Sequence, residues 1–224
     1  MSTMIILGLN DFLEIHKRMR IACTEKDWTV LQGHYELNAQ YQGSAKIQDV
    51  FHLEIIVPLH FPKAIPVVYE LGGKIPRESK YHVFVGGSLC MGSPLRLKMI
   101  LYKEPSLLTF SEKVLTPYLY SFCHKIQYGE YPYGELAHNA LGLIEDYKAL
   151  FKVHDEIGVL RALSALSKSL NVADKLPCPC CNHKFLGDCE YSTFLNGFRQ
   201  GIPKKEAKNT LRRIRQEKAN WPTR

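Results

Sequence analysis

Two alternating runs joined by a short polar turn limit what this chain can fold into more than any other feature. Tyr35, Leu37, Ala39 and Tyr41 alternate with Glu36, Asn38 and Gln40; Gln42-Gly43-Ser44 offers a turn; Phe51, Leu53, Ile55 and Val57 then resume the period around His52 and Glu54. A period of two puts one set of side chains on each face, so the runs read as neighbouring antiparallel strands with one face toward a core. Pro58, Pro62 and Pro66 interrupt any continued ladder, and Val67 to Leu71 supplies a third short strand before Gly72-Gly73.

Helical periods flank this meander. Phe12, Ile15, Met19 and Ile21-Ala22 predict a helix over 11–22 with Asn10 as its N-cap. Leu136, Ala140, Ile144, Tyr147 and Phe151 predict one over 135–151, and Ile157, Leu160, Leu163, Leu166 and Leu170 another. Helix, meander, proline-rich turn, irregular loop and helices make an α+β order, its sheet built from sequential neighbours. With 224 residues, 46% of them apolar, the chain can build one full core and an appendage. The expected division is a main domain over 1–172 and a cysteine-rich, basic extension over 173–224.

The charge is uneven. Nine basic residues and two acidic ones lie between Arg199 and Arg224, so the net charge of +7 resides there. Around Ala207, Leu211 and Ile214, spaced i, i+4, i+7, stand Lys204, Lys205, Lys208, Arg212, Arg213, Arg215 and Lys218. That pattern predicts a basic amphipathic helix whose partner is nucleic acid or an acidic protein surface. Apolar runs are only a few residues long, so no membrane span is expected and the expected location is the cytoplasm.

Seven cysteines divide into two kinds. Cys23, Cys90 and Cys123 stand singly, while Cys178, Cys180, Cys181 and Cys189 fall within twelve residues together with His183. An odd count in a cytoplasmic chain points to thiol or metal chemistry over a disulfide framework. The cluster offers enough sulfur and imidazole for a tetrahedral zinc site. Two ligand sets are open: Cys178-x-Cys180 with Cys189 and a fourth ligand from His183, Cys181 or Glu190, or the knuckle Cys178-x-x-Cys181 with His183 or Cys189.

Cys90 closes the string Tyr81-His-Val-Phe-Val-Gly-Gly-Ser-Leu-Cys90 in a long loop, and long ordered loops are commonly functional. From Phe51 through Phe61-Pro62 and Ile65-Pro66 to Tyr69, and again at Gly87-Ser88-Leu89-Cys90, the chain resembles the ubiquitin-conjugating (UBC) enzymes over roughly residues 10 to 150. Tyr131-Pro-Tyr-Gly-Glu-Leu-Ala-His138 resembles the bacterial branch found in CBASS antiphage operons, and Cys178-x-Cys180 with Cys189 is similar to a SEC-C zinc motif, although Glu190 stands where that motif has a Cys or His.

The resemblance implies a UBC-like fold and a thioester transferase. Cys90 would take an activated C-terminal carboxyl as a thioester and pass it to a lysine amine of a target protein. The implied carried partner is the operon's cGAS-like nucleotidyltransferase. His82 and His138 are the candidates for activating the thiol. Where the family usually has His-Pro-Asn this chain has Tyr81-His82-Val83, so an oxyanion would rely on backbone N–H groups near Gly86 to Ser88, the Ser88 hydroxyl or a histidine. No phosphate-cradling glycine loop appears, so activation comes from elsewhere. A non-enzymatic module that holds a partner through its zinc tail and basic helix is the competing expectation.

Overall fold

The alternation at 35–41 and 51–57 becomes the two long strands of a four-stranded antiparallel sheet in the computed structural model, which describes residues 5–41, 43–132, 140–181 and 183–219. Strands β1 (Met19–Thr24), β2 (Trp28–Ala39), β3 (Ile47–Pro58) and β4 (Val67–Glu70) lie side by side in chain order. Leu31 faces Ile55, Tyr35 faces Phe51, and Val68 pairs with Ile55 from the other side. All five are buried. A slip of one residue would turn this set outward, so burial fixes the register.

The first strand corrects the sequence reading. Helix α1 spans only Leu9–Ile15, with Gly8 rather than Asn10 at the N-cap position, and the segment predicted to continue it forms β1. Gly33 explains the change. At φ +152° it brings the Arg18 carbonyl within 2.1 Å of where a Cβ would stand, and the neighbouring His34 amide donates to that carbonyl at 3.1 Å. Pairing with the free edge of β2 thus overrides a short apolar period that was compatible with helix.

Helix α2 (Pro94–Lys103) follows the loop, and α3 (Leu107–Phe110) runs through a π-helical stretch, Ser111–Leu115, into α4 (Thr116–Tyr128). Phe12, Phe110, Leu115 and Leu119 join the inward residues of the sheet in one apolar core. Burying each such side chain stabilises the fold by about 1.5–3 kcal/mol. The π-helical stretch brings Ser111 into that core beside Tyr35, whose hydroxyl is 2.6 Å from Ser111 Oγ and 2.7 Å from Thr116 Oγ1. His16 Nε2 lies 2.9 Å from the same serine, so a buried polar cluster is internally satisfied.

The chain divides into two compact units, Met1–Glu135 and Leu136–Arg224. The second contains α5 (Ala140–Phe151), α6 (Glu156–Leu166), α7 (Leu170–Ala173), α8 (Tyr191–Asn196) and α9 (Lys204–Ala219). The compact units therefore part near residue 135 and not at the expected 172, because α5 and α6 bury their stripes with α9 and not in the core of the sheet. Ile144, Tyr147, Val159, Leu163, Ala207 and Ile214 are all buried. The basic segment is accordingly a packed helix. Among the described residues no helix is long and apolar enough to cross a membrane.

Candidate functional site

Cys90 is held where it is by the end of β4. Glu70, only 8% exposed, accepts from the Gly72 amide at 2.8 Å and the Ile75 amide at 3.3 Å, turning the chain back along the sheet. A short 3-10 turn, Ser79–Tyr81, leads to His82 in the left-handed conformation at φ 56° and ψ 48°. Residues 83–89 then form a small hairpin. Phe84 donates to the Ser88 carbonyl at 2.9 Å, Gly87 to the Phe84 carbonyl at 2.7 Å, and Val83 bridges Leu89. Gly87 takes φ +85° at the turn, a position that favours glycine.

The returning limb is fastened to the sheet. Leu89 donates to the Val68 carbonyl at 2.9 Å, Ser88 bridges Tyr69, and the Cys90 amide donates to the His82 carbonyl at 2.7 Å. Leu89 is buried and Cys90 is half-buried. A thiol in this position is fixed by its backbone and still reachable.

Two tyrosines complete the surroundings. Tyr118 on α4 donates to the Tyr81 carbonyl at 2.8 Å, and Tyr131 donates to the Lys80 carbonyl at 2.7 Å. The Tyr131 ring also meets the His82 ring edge-on at 5.4 Å between centroids. Burial holds the Tyr118 phenol well above its ordinary range, and Tyr131, Cys90 and Glu70 push it the same way. The phenol therefore stays a hydrogen-bond donor at all ordinary pH.

Of the residues singled out in the sequence, Cys90, His82 and Ser88 come together in this loop, His82 and Ser88 flanking the two limbs that carry the thiol. His138 lies outside the described residues. The Gly87 amide, one of the expected oxyanion donors, is committed to the Phe84 carbonyl. By contrast, the Met91 amide directly after the thiol has no hydrogen-bond partner among the described residues. Sequence reasoning missed Tyr118 because it sits on a helix beyond the loop, with no local motif to tie it to Cys90.

The other single cysteines are different. Cys123 packs against the core, and burial first, then Asp49, raises its thiol to about 12. Cys23 is exposed on the edge strand.

In the second unit, Cys178, Cys180, Cys181 and Cys189 bring their sulfurs within 4.8 Å of one another and can hold a metal ion. The Cys178 and Cys180 sulfurs are 3.4 Å apart and those of Cys180 and Cys189 3.6 Å. Four sulfurs about 2.3 Å from a tetrahedral ion would be about 3.8 Å apart, so the set fits such an ion. His183 is exposed and lies outside this group, in which Cys181 supplies the fourth sulfur.

A knuckle presents these sulfurs. Pro177 bridges Phe185, Cys178 donates to the Lys184 carbonyl at 3.0 Å, and Cys189 to the Leu186 carbonyl at 3.1 Å. The knuckle leans on α6, where a Cβ at Gly158 would meet the Pro179 carbonyl at 2.8 Å and Val153 Cβ at 2.8 Å. Arg161 donates to the Cys178 carbonyl at 3.3 Å. Burial raises the Cys178 and Cys180 thiols, while the Tyr191 amide holds Cys189 low. Metal binding would thus displace protons from at least the first two.

Comparison with models of known protein families, with curated proteins and with solved structures finds no match.

Proposed function

We propose that this chain is a ubiquitin-conjugating-like acyl carrier, in which Cys90 holds a partner's C-terminal carboxyl as a thioester and passes it to an amine. The observation that carries the reading is the half-buried thiol of Cys90 at the foot of a hairpin fastened to the last strand of a four-stranded antiparallel meander. One helix precedes that sheet and helices follow the thiol, the order that the UBC resemblance implies.

In the proposed reaction the Cys90 thiolate attacks the activated carbonyl of an incoming thioester, and the donor thiolate leaves. A lysine amine of the target next attacks the Cys90 thioester, loses a proton to a base and expels the Cys90 thiolate. The Met91 amide, without a partner among the described residues, is the proposed oxyanion donor, a role for which a backbone N–H beside the nucleophile is well suited. Tyr118 and Tyr131 are positioning residues: their hydroxyls hold the Tyr81 and Lys80 carbonyls, and with them the His82 turn. His82 is the proposed proton acceptor, and Ser88 a further donor at the loop.

The carried polypeptide is proposed to be a cGAS-like nucleotidyltransferase in CBASS antiphage defence, which rests on the resemblance at Tyr131 to His138. The four cysteines are proposed to hold zinc as a structural ion that staples the second unit and takes no part in acyl transfer. The proposed location is the cytoplasm, where thiols stay reduced.

Non-reducing electrophoresis and mass spectrometry of the chain coexpressed with its nucleotidyltransferase and activating enzyme test this. A thiol-labile adduct on Cys90 that becomes thiol-resistant in C90S and vanishes in C90A is expected. An adduct indifferent to both substitutions, or none in the native chain, would overturn the reading in favour of a non-enzymatic binding module.

A further inference from the structure

The second unit carries a groove that is independent of Cys90. Between α6 and α9 it is lined by Ser164, Ser167 and Lys168 on one wall and by Lys208, Arg212 and Arg215 on the other. Lys208, Arg212 and Arg215 follow at i, i+4 and i+7, covering about 10 Å of the helix axis on one side of α9. Like charges at these spacings repel, which disfavours the helix that carries them.

Two cations of α9 outside the groove are paired. Arg213 meets Glu217 at 2.7 Å, and Lys218 pairs with Glu156. Like Lys204 and Lys205 at the start of α9, the four groove cations Lys168, Lys208, Arg212 and Arg215 have no carboxylate partner among the described residues. All four are exposed at their tips, while Leu211 and Ile214 beneath them are buried and fix the helix in place. The result is a preformed positive channel. Ser164 adds a hydroxyl that has no partner among the described residues, whereas the Ser167 hydroxyl is committed to the Ser164 carbonyl at 2.7 Å.

We infer that this groove binds the phosphodiester backbone of a nucleic acid. Two arginine forks match phosphate oxygens, two lysines add point charges, and the hydroxyl of Ser164 donates between them. Leu211 and Ala219 are the apolar side chains that line the groove, and among the described residues no aromatic side chain lines it to stack a base. Recognition through such a channel is electrostatic and indifferent to sequence.

Fluorescence anisotropy of the full-length, metal-loaded protein with labelled 20-nucleotide single strands and duplexes, across a salt series, tests the assignment. Binding is expected for different sequences alike, with a log–log salt slope of about −3 for four phosphate contacts. The triple variant K208A/R212A/R215A should bind at least about tenfold more weakly near 0.1 M salt with a slope closer to zero. K204A/K205A/R213A removes equal charge outside the groove and should stay within about threefold of the native protein. A single R212Q, with the melting temperature measured alongside, keeps the test valid should the triple variant unfold. Equal losses in the two triple variants, or no binding at low salt, would sink the proposal. Displacement by polyglutamate as effective, charge for charge, as by oligonucleotide would assign the groove to an acidic polypeptide instead.

Discussion

The Cys90 amide donates to the His82 carbonyl at 2.7 Å, so the residue with the strained backbone and the residue with the candidate nucleophile are one hydrogen bond apart. A left-handed non-glycine residue costs roughly 1–3 kcal/mol. The loop keeps that geometry because Tyr118, Tyr131 and the hairpin fix the residues on either side.

Substituting His82 separates backbone from imidazole. H82G accepts the conformation freely and should leave urea stability unchanged or raised by up to about 1 kcal/mol, whereas H82V should lose about 2 kcal/mol. If the imidazole takes the proton in transfer, both variants lose transfer rate. A stable H82G with native transfer would remove His82 from the chemistry while keeping it in the loop.

Glu70 predicts a loop-specific loss. Replacing it with alanine strips the acceptor from the Gly72 and Ile75 amides and should destabilise the first unit by about 2 kcal/mol. Hydrogen exchange should rise first at 72–76 and around Cys90. Unchanged protection there would mean that the carboxylate is not what turns the chain.

His16 makes the first unit sensitive to mild acid. Burial lowers its imidazole to about 4, against a partial opposing effect of Glu36, while an unfolded histidine titrates near 6.5. Above pH 6.5 both states are neutral and the stability is fully present; below it the unfolded chain takes up the proton first, and stability is lost as pH falls toward 4. After allowance for solvent at this partly exposed ring, the loss should be of order 1–2 kcal/mol. H16F should flatten the unfolding free energy between pH 6.5 and 4; an unchanged profile would exonerate His16.

Metal removal should act on the second unit alone. One equivalent of zinc is expected in the native protein by mass spectrometry, and C180S or a strong chelator should expel it. Helical signal from α6 and α9 should then melt at lower temperature, while fluorescence-monitored unfolding of the first unit is unaffected. A metal-free native protein with the same melting curve would retire the staple. G158A tests the same contact without touching a thiol, since the added methyl strikes the Pro179 carbonyl; a cost of about 1–3 kcal/mol is expected.

Much of the fold is legible in the order of residues alone. The periods at 35–41 and 51–57 give β2 and β3 with their inward faces, and the spacing of Ala207, Leu211 and Ile214 gives α9. The gathering of four cysteines is legible too, because metal ligands so close in sequence need little tertiary information to meet. The features that local pattern misses depend on distant partners. Residues 19–24 carry no strand period of their own and become β1 only because β2 offers an edge and Gly33 admits a close carbonyl. Tyr118 reaches the Cys90 loop from α4, and the parting of the units near 135 follows from which helices α9 packs against.

The sheet joins only neighbours in sequence: β1 to β2 across 25–27, β2 to β3 across 40–46, and β3 to β4 across 59–66. Each pairing closes a short loop, and closure entropy grows with loop length, so every strand can dock soon after it is made. The scaffold of the Cys90 loop is therefore one whose pairing waits on no residue beyond Glu70, and a chain emerging from the ribosome can form its sheet before the cysteine cluster has been synthesised.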